Sequence, residues 1–496
     1  MLSVALPASG RGSCESFKDG AVSHHETTLP VPTLQQSELT HHMTFDSSIL
    51  SRNRVARRRY LDILQAALQA VDPYQAVRDH LHVENGVLWA GRERLTLAQF
   101  RRILVVGAGK GGAPMARAVE DVLGTLLTAG LVVVKHGHRS PTERIEIIEA
   151  GHPIPDKAGI AAGARVLDLV ASAGKDDLVL ALISGGGSAL LEAPAGITLP
   201  DLQGMTDTLL ACGATIHEMN CLRKHMSYVK GGQLARVASP ATLVTLVLSD
   251  VVGSPLDVIA SGPTVADTST WTDAWAVVEK YALTEVLPNA VTTRLQAGVR
   301  GELADTPKPG DPIFERVVTQ IVGDNRVAAL AACQRAQEFG YHTLLLTTYL
   351  EGEASTVAGL AVALAREIVA SGQPVAAPAC LILGGETTVR LGNASGKGGR
   401  NQELALAAAI GVAGRPQITI AALATDGNDG PTDSAGGLVD GETVALGRQA
   451  GLDAGTRLQR HDAYPFLQTT GDLLRCGPTR TNVNDLVLVW VEPATA

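Results

Sequence analysis

Two glycine-rich turns carry the side chains best suited to hold an oxyanion. The first, Gly107-Ala-Gly109-Lys110-Gly-Gly112, follows the apolar run 103–106 and opens a helical stretch. At a helix N-terminus the Lys110 ammonium adds a full charge to backbone donors and a dipole that already attract phosphate. The turn also fits the dinucleotide pattern G-x-G-x-x-G. The next strand, however, ends Val134-Lys135-His136-Gly137-His138-Arg139, without the acidic residue that holds the ribose of NAD. A basic tip there suits NADP or a phosphate. The second turn, Ser184-Gly185-Gly186-Gly187-Ser188, lets consecutive N–H groups converge on an oxyanion and adds two hydroxyls. It is not a P-loop of the G-x-x-x-x-G-K-[ST] kind. Each turn also has a plainer reading, as a tight strand-to-helix connection with Ser188 as a cap.

Four charged groups lie downstream. Asn220, Arg223 and Lys224 fall together in a predicted helix. They read either as a solvated polar face or as a clamp on a carboxylate or phosphate, with Arg supplying a fork and Lys a point charge. Asp250 follows a buried strand, where a carboxylate holds Mg²⁺, accepts a hydroxyl proton or caps the next turn. Arg400 opens a helix against the dipole, which implies an anionic client. Asp426 and Asp429 share a Gly-rich loop that lacks the twelve-residue calcium pattern and suits Mg²⁺ better. A further polar turn, Thr481-Asn482-Val-Asn484-Asp485, precedes the last strand.

Positioning these groups requires strands that end in the turns. Apolar runs at 103–106, 131–134, 178–183 and 243–248 alternate with helical stretches at 113–127 and 160–173, the order of a doubly wound parallel sheet. In such a sheet the two glycine turns face one crevice. An amphipathic helix is predicted within 52–77, from Tyr60, Ile63, Leu64, Ala67, Leu68 and Val71. Pro- and Gly-containing sequence at 298–312 reads as a linker. A second set of strands follows near 317–322, 342–347, 379–383, 419–424 and 486–491. The expected fold class is therefore α/β, in two domains at 51–300 and 312–496, each a mainly parallel sheet covered by helices. Residues 1–50 are expected to form a disordered extension, with Met43 as the natural start.

Composition narrows the function. Aromatics reach only 3% of 496 residues while apolar residues reach 45%, so Ala, Val, Leu and Ile must build the core. A net charge of -9 opposes broad binding to nucleic acid. The six cysteines, Cys14, Cys212, Cys221, Cys333, Cys380 and Cys476, have neither zinc nor redox spacing, which fits a reduced compartment. With no secretory signal and no uninterrupted apolar run of about 18–20 residues, a cytoplasmic protein without membrane contact is expected.

From about Arg52 onward the motifs resemble the class II glycerate 2-kinase family, whose C-terminal part is the MOFRL domain. The blocks that carry the likeness are Val106-Gly-Ala-Gly-Lys110, Ile183-Ser-Gly-Gly-Gly-Ser-Ala-Leu190, Asn220-Cys-Leu-Arg-Lys224, Leu248-Ser-Asp-Val-Val-Gly253, Ile259-Ala-Ser-Gly-Pro-Thr264, Gly384-Gly-Glu386, Gly398-Gly-Arg-Asn-Gln-Glu403 and Thr425-Asp-Gly427. The resemblance implies ATP- and divalent-metal-dependent phosphorylation of D-glycerate to 2-phosphoglycerate. It implies a Rossmann-like first domain, a MOFRL-type second domain and an active site in the cleft between them, in a monomer or homodimer. It further implies catalytic roles for Lys110 and Arg400. On this reading Asp250 joins them in catalysis. Gly107, Gly109 and the loop Ser184, Gly185, Gly186, Gly187 and Ser188 hold phosphate. Asn220, Arg223, Lys224, Glu386 and Asn401 hold substrate, while Asp426 and Asp429 hold Mg²⁺. The rivals are a hydroxypyruvate reductase using NAD(P)H and a sugar-phosphate-binding regulator without turnover.

Overall fold

The structure, a computed structural model, describes residues 44–392 and 396–493. Its first half is a six-stranded sheet in which every neighbouring pair is parallel. Across the sheet the strands are Ile145–Ala150, Ala129–Lys135, Arg102–Ala108, Asp177–Ile183, Thr242–Leu248 and Val317–Gly323. Numbered along the chain, that order is 3-2-1-4-5-6, which reverses between Arg102–Ala108 and Asp177–Ile183. A crevice opens at such a reversal because successive helices leave to opposite faces of the sheet. The last strand, Val317–Gly323, pairs with Thr242–Leu248. It thus belongs to the first sheet, although the sequence placed it in the second set.

The second half corrects the expectation of a mainly parallel sheet there. Its strands run His342–Glu353, Ala379–Thr388, Asp485–Val491, Ile418–Ala424, Gly436–Asp440 and Leu473–Leu474. Only the first pair is parallel, and the other four pairings are antiparallel. Both kinds of buried strand read as continuous apolar runs, so the sequence pattern does not separate them. The antiparallel course matters for function. Asp485–Val491 runs against both of its neighbours, which sets its first residue, Asp485, beside Gly385 and Ala424 near their far ends.

The helix predicted within 52–77 is two helices, Arg54–Gln69 and Pro73–His80. The second starts where Asp72 caps the Gln75 N–H and Pro73 fixes the first turn. The first packs on the second sheet. Tyr60 stacks on Trp490 with ring centroids 4.4 Å apart, and the Arg57 guanidinium, 1% exposed, lies 2.9 Å from Asp440 and 2.7 Å from Asp472. Arg57 also donates to the Ile49 carbonyl at 3.0 Å, and the Asp46 N–H donates to Arg475 O at 2.8 Å. Residues 44–50 are therefore held against the second half, unlike the disordered extension expected up to residue 50. Residues 1–43, with the proposed start at Met43, lie outside the described residues.

Removing one member of a buried ion pair strands its partners in a medium that solvates charge poorly. Arg57→Ala is expected to lower the free energy of unfolding by about 3–5 kcal/mol, read as a drop in the denaturant midpoint at unchanged slope.

The helix Ala354–Ser371 is long and apolar enough to cross a membrane by length and composition. Here its Val357, Ala361, Ala365 and Ile368 face is buried in the second core. That packing is the ordinary fate of an apolar helix covering a sheet.

Candidate functional site

The two glycine turns meet at the reversal of strand order, because the strands that feed them are neighbours. They meet through direct hydrogen bonds. Lys110 N–H donates to Gly185 O at 2.8 Å, Gly111 N–H to Ser184 Oγ at 3.0 Å, and Gly109 N–H to Val133 O at 3.0 Å. A side chain at Gly109, whose φ is +140°, would overlap Ser184. Gly107 and Gly109, expected to hold phosphate, shape the turn itself in this structure. The backbone donors of the first turn already have partners, and Gly107 is needed because a Cβ would lie 2.4 Å from Leu182 O. Among the described residues, the N–H groups of Gly185 and Gly186 lack such partners.

What the first turn offers is the Lys110 side chain, whose Nζ lies 3.7 Å from Asp426 Oδ2 in the second half. Asp250 stands at its side. The carboxyl packs so closely on the second turn that a Cβ at Gly185 would come within 2.3 Å of Asp250 Oδ2. Burial pushes the Asp250 carboxyl up to about 6, with Lys110 pulling the other way and Glu386 and Asp426 adding to the rise.

The second half closes the ring through the polar turn before its last strand. Asn482 Nδ2 donates to Asp250 Oδ2 at 3.4 Å, and Asn484 Nδ2 donates both to Asp250 O at 2.7 Å and to Glu386 Oε2 at 2.9 Å. The other Glu386 oxygen accepts from Arg400 at 2.6 Å, and Arg400 also grips Asp485 through two bonds of 2.6 and 3.0 Å. Thus the anionic clients of Arg400 in this structure are carboxylates. Burial opposes the guanidinium charge, but the bonds and charge of Asp485 outweigh it and hold Arg400 firmly ionised. A continuous chain therefore runs Arg400, Glu386, Asn484, Asp250. Asn482, Asn484 and Asp485 are the members that residue types alone did not assign. Their signal was a cluster of amides beside a carboxylate at the start of a strand.

Four expected site residues have partners within the protein. Asp429 accepts the Asn401 and Gln402 N–H groups at 3.0 and 2.8 Å and the Asn401 side chain at 3.2 Å. It is a buried cap on the helix Arg400–Val412, where the expectation had Asp429 as a metal ligand and Asn401 as a substrate contact. Lys224 Nζ turns to Asp267 at 3.1 Å and Asp257 at 3.3 Å, so its charge is paired inside the first half in this structure. Asn220 accepts from Ser261 Oγ at 3.0 Å, and Ser261 Oγ lies 2.8 Å from Ser188 Oγ. Ala260 and Ser261 both adopt left-handed φ, at 50° and 60°, a costly backbone for residues other than glycine. That turn holds the Ser261 hydroxyl between Asn220 and the second glycine turn.

Among the described residues there is no group of three His, Cys, Asp or Glu that could hold a metal by itself. Asp426 remains a half-exposed carboxylate at the cleft, with Glu386 and Asp250 nearby by charge and hydrogen bonding. Hard oxygen donors in small number at an open cleft suit Mg²⁺, which usually takes one or two carboxylates and fills its shell with phosphate oxygens and water.

Fold and side chains place the protein among α/β enzymes that work on anionic ligands at a reversal of strand order. Comparison with known proteins narrows this. Residues 59–296 match a family model described as a domain of unknown function, DUF4147, and residues 379–485 match the MOFRL family. The glycerate 2-kinase of Pyrococcus horikoshii is 41% identical over 87% of this chain and 96% of its own. The D-glycerate 2-kinase of Thermotoga maritima is 40% identical over 86% and 96%. A relative from Agrobacterium vitis, 43% identical over 89% of this chain and 95% of its own, is named a putative hydroxypyruvate reductase. The crystal structure of a glycerate kinase from Thermotoga maritima superposes with a TM-score of 0.79 at 39% identity, covering 88% of this chain and 99% of that one. The chain belongs to the glycerate kinase family with a C-terminal MOFRL domain.

Proposed function

We propose that the protein is a glycerate 2-kinase, transferring the terminal phosphoryl group of ATP to the 2-hydroxyl of D-glycerate. The observation that carries this reading is the approach of Lys110 to Asp426 across the cleft, with Asp250 beside them. Phosphoryl transfer asks a protein for alignment and charge compensation more than for covalent chemistry. On this reading Lys110 and the free N–H groups of Gly185 and Gly186 hold oxygens of the moving phosphoryl group. Asp250 accepts the proton of the 2-hydroxyl as its oxygen bonds to phosphorus and the bond to the ADP oxygen breaks. Arg400 exchanges Glu386 for the phosphoryl oxygens while Asp485 keeps its guanidinium in plane. Asp426 would hold Mg²⁺, whose bound charge would offset that of the phosphates.

The reductase reading is supported by the strand order and by the name of the Agrobacterium relative. It is opposed by the first glycine turn, whose Gly109, Lys110 and Gly111 N–H groups are engaged within the protein and would be needed for a pyrophosphate.

A general base must be ionised to act. With the Asp250 carboxyl pushed up to about 6, kcat/KM for D-glycerate is expected to fall as the pH drops through that value, with a slope of one proton. A flat profile from neutral pH down to the ordinary carboxylate range would remove Asp250 from this role.

A further inference from the structure

A cavity of about 200 Å³ lies under the second glycine turn, lined by His152, Gly186, Ser188, Glu192, Leu202 and Arg223 among others. We propose that this cavity is the acceptor subsite, in which Arg223 takes the carboxylate of a small 2-hydroxy acid. The identity of the acid rests on the kinase reading above. The assignment of a carboxylate rests on the cavity itself.

Arg223 is the exception on its helix. Its neighbours Asn220, Lys224 and His225 all have hydrogen-bonded side chains, whereas the Arg223 guanidinium, among the described residues, makes neither a hydrogen bond nor an ion pair. Burial lowers its affinity for the proton, with only the charge of Glu192 acting the other way. Glu192 does not neutralise it, because that carboxylate is already engaged. Lys230 Nζ sits 2.5 Å from one Glu192 oxygen, and Ser227 Oγ donates to the other at 3.0 Å. His152 contributes no charge at neutral pH, since burial and then the cation of Lys110 hold it down at about 4. The wall therefore carries one uncompensated positive charge, which calls for one negative charge in the ligand.

Size points the same way. Cavities that enclose drug-sized ligands run from about 300 Å³ upward, so about 200 Å³ suits a three-carbon acid better than a whole nucleotide. A guanidinium fork matches a carboxylate through two parallel bonds, and Leu202 adds an apolar surface to the lining. The position also fits the chemistry. Lys110 is close enough to His152 to depress its protonation, and His152 packs on Gly186, where a Cβ would meet its ring at 2.9 Å. An acid anchored on Arg223 thus has the phosphoryl-holding turn as its neighbour.

The test compares the whole protein with Arg223→Met and Arg223→Lys. D-glycerate binding is measured by calorimetry without nucleotide, and KM for D-glycerate and for ATP is measured separately. Losing a charge-assisted hydrogen-bond partner should weaken D-glycerate binding and raise its KM by roughly 10- to 150-fold, with KM for ATP unchanged. The Lys variant should recover part of the loss, because it keeps the charge but not the fork. Discrimination against the uncharged amide of glyceric acid should collapse in the Met variant. A rise in KM for ATP with D-glycerate binding intact would overturn the proposal, as would unaltered binding in both variants. If the wild-type protein binds D-glycerate through Arg223 but transfers no phosphoryl group, the subsite stands and the kinase reading falls.

Discussion

Lys110→Met is expected to lower kcat by about 10²–10³-fold, the usual cost of deleting one preorganised group that stabilises charge in the transition state. KM for D-glycerate and for ATP should change little. The reason is where the ammonium sits. Its backbone N–H is tied to Gly185, so the turn is fixed whatever the side chain does, and only Nζ reaches toward the second half at 3.7 Å from Asp426. A charge so placed interacts most strongly with the phosphoryl group in transit, and interactions made only in the transition state appear in kcat. Met keeps the length of the stem without the charge, and the thermal midpoint should stay close to that of the wild type. A variant with normal kcat and a raised KM would reassign Lys110 to simple ground-state binding.

Asp250→Asn should be comparably damaging, by about 10²–10⁴-fold in kcat, the range that general acid–base catalysis contributes. The substitution is chosen because the amide has nearly the same shape as the carboxyl. It can keep the close packing on Gly185, and the bond from Asn484 to the Asp250 carbonyl is untouched. What it removes is the proton acceptor. The fall in kcat/KM on the acid side, expected near the raised Asp250 value, should vanish from the residual activity. If Asp250→Asn retained turnover together with the acid limb, another group would be the base.

The parts of this site that repeat a local rule were readable from residues alone. Gly107 to Gly112 and Gly185 to Gly187 stand after apolar runs, and the alternation of runs and helical stretches implied a parallel sheet with both turns at one crevice. What each glycine is for was less readable. Gly109 and Gly185 avoid overlap with Ser184 and Asp250, contacts that exist only once neighbouring strands are assembled. The same limit explains Lys224 and Asp429. Residue type gives a charge, but its partners Asp267 and the start of the helix Arg400–Val412 are distant in sequence or on another turn of chain. Asp485 was hidden by strand direction, since a buried apolar run looks alike whether it runs with or against its neighbours. Asn85-Gly86, with φ of 50° and 75°, joins Leu81–Glu84 to Val87–Ala90 in a small antiparallel sheet, as an Asn-Gly pair should.

Cleft chemistry, rather than fold, carries the functional claim, because this strand order also serves dinucleotide enzymes. The most direct measurement follows phosphorus by NMR in a mixture of purified protein, D-glycerate, ATP and Mg²⁺, beside a parallel mixture of hydroxypyruvate with NADH or NADPH. The account predicts 2-phosphoglycerate and ADP appearing in equal amounts, and no oxidation of the nicotinamide. Phosphate on the 3-hydroxyl, or nicotinamide oxidation without any transfer of phosphorus, would contradict it.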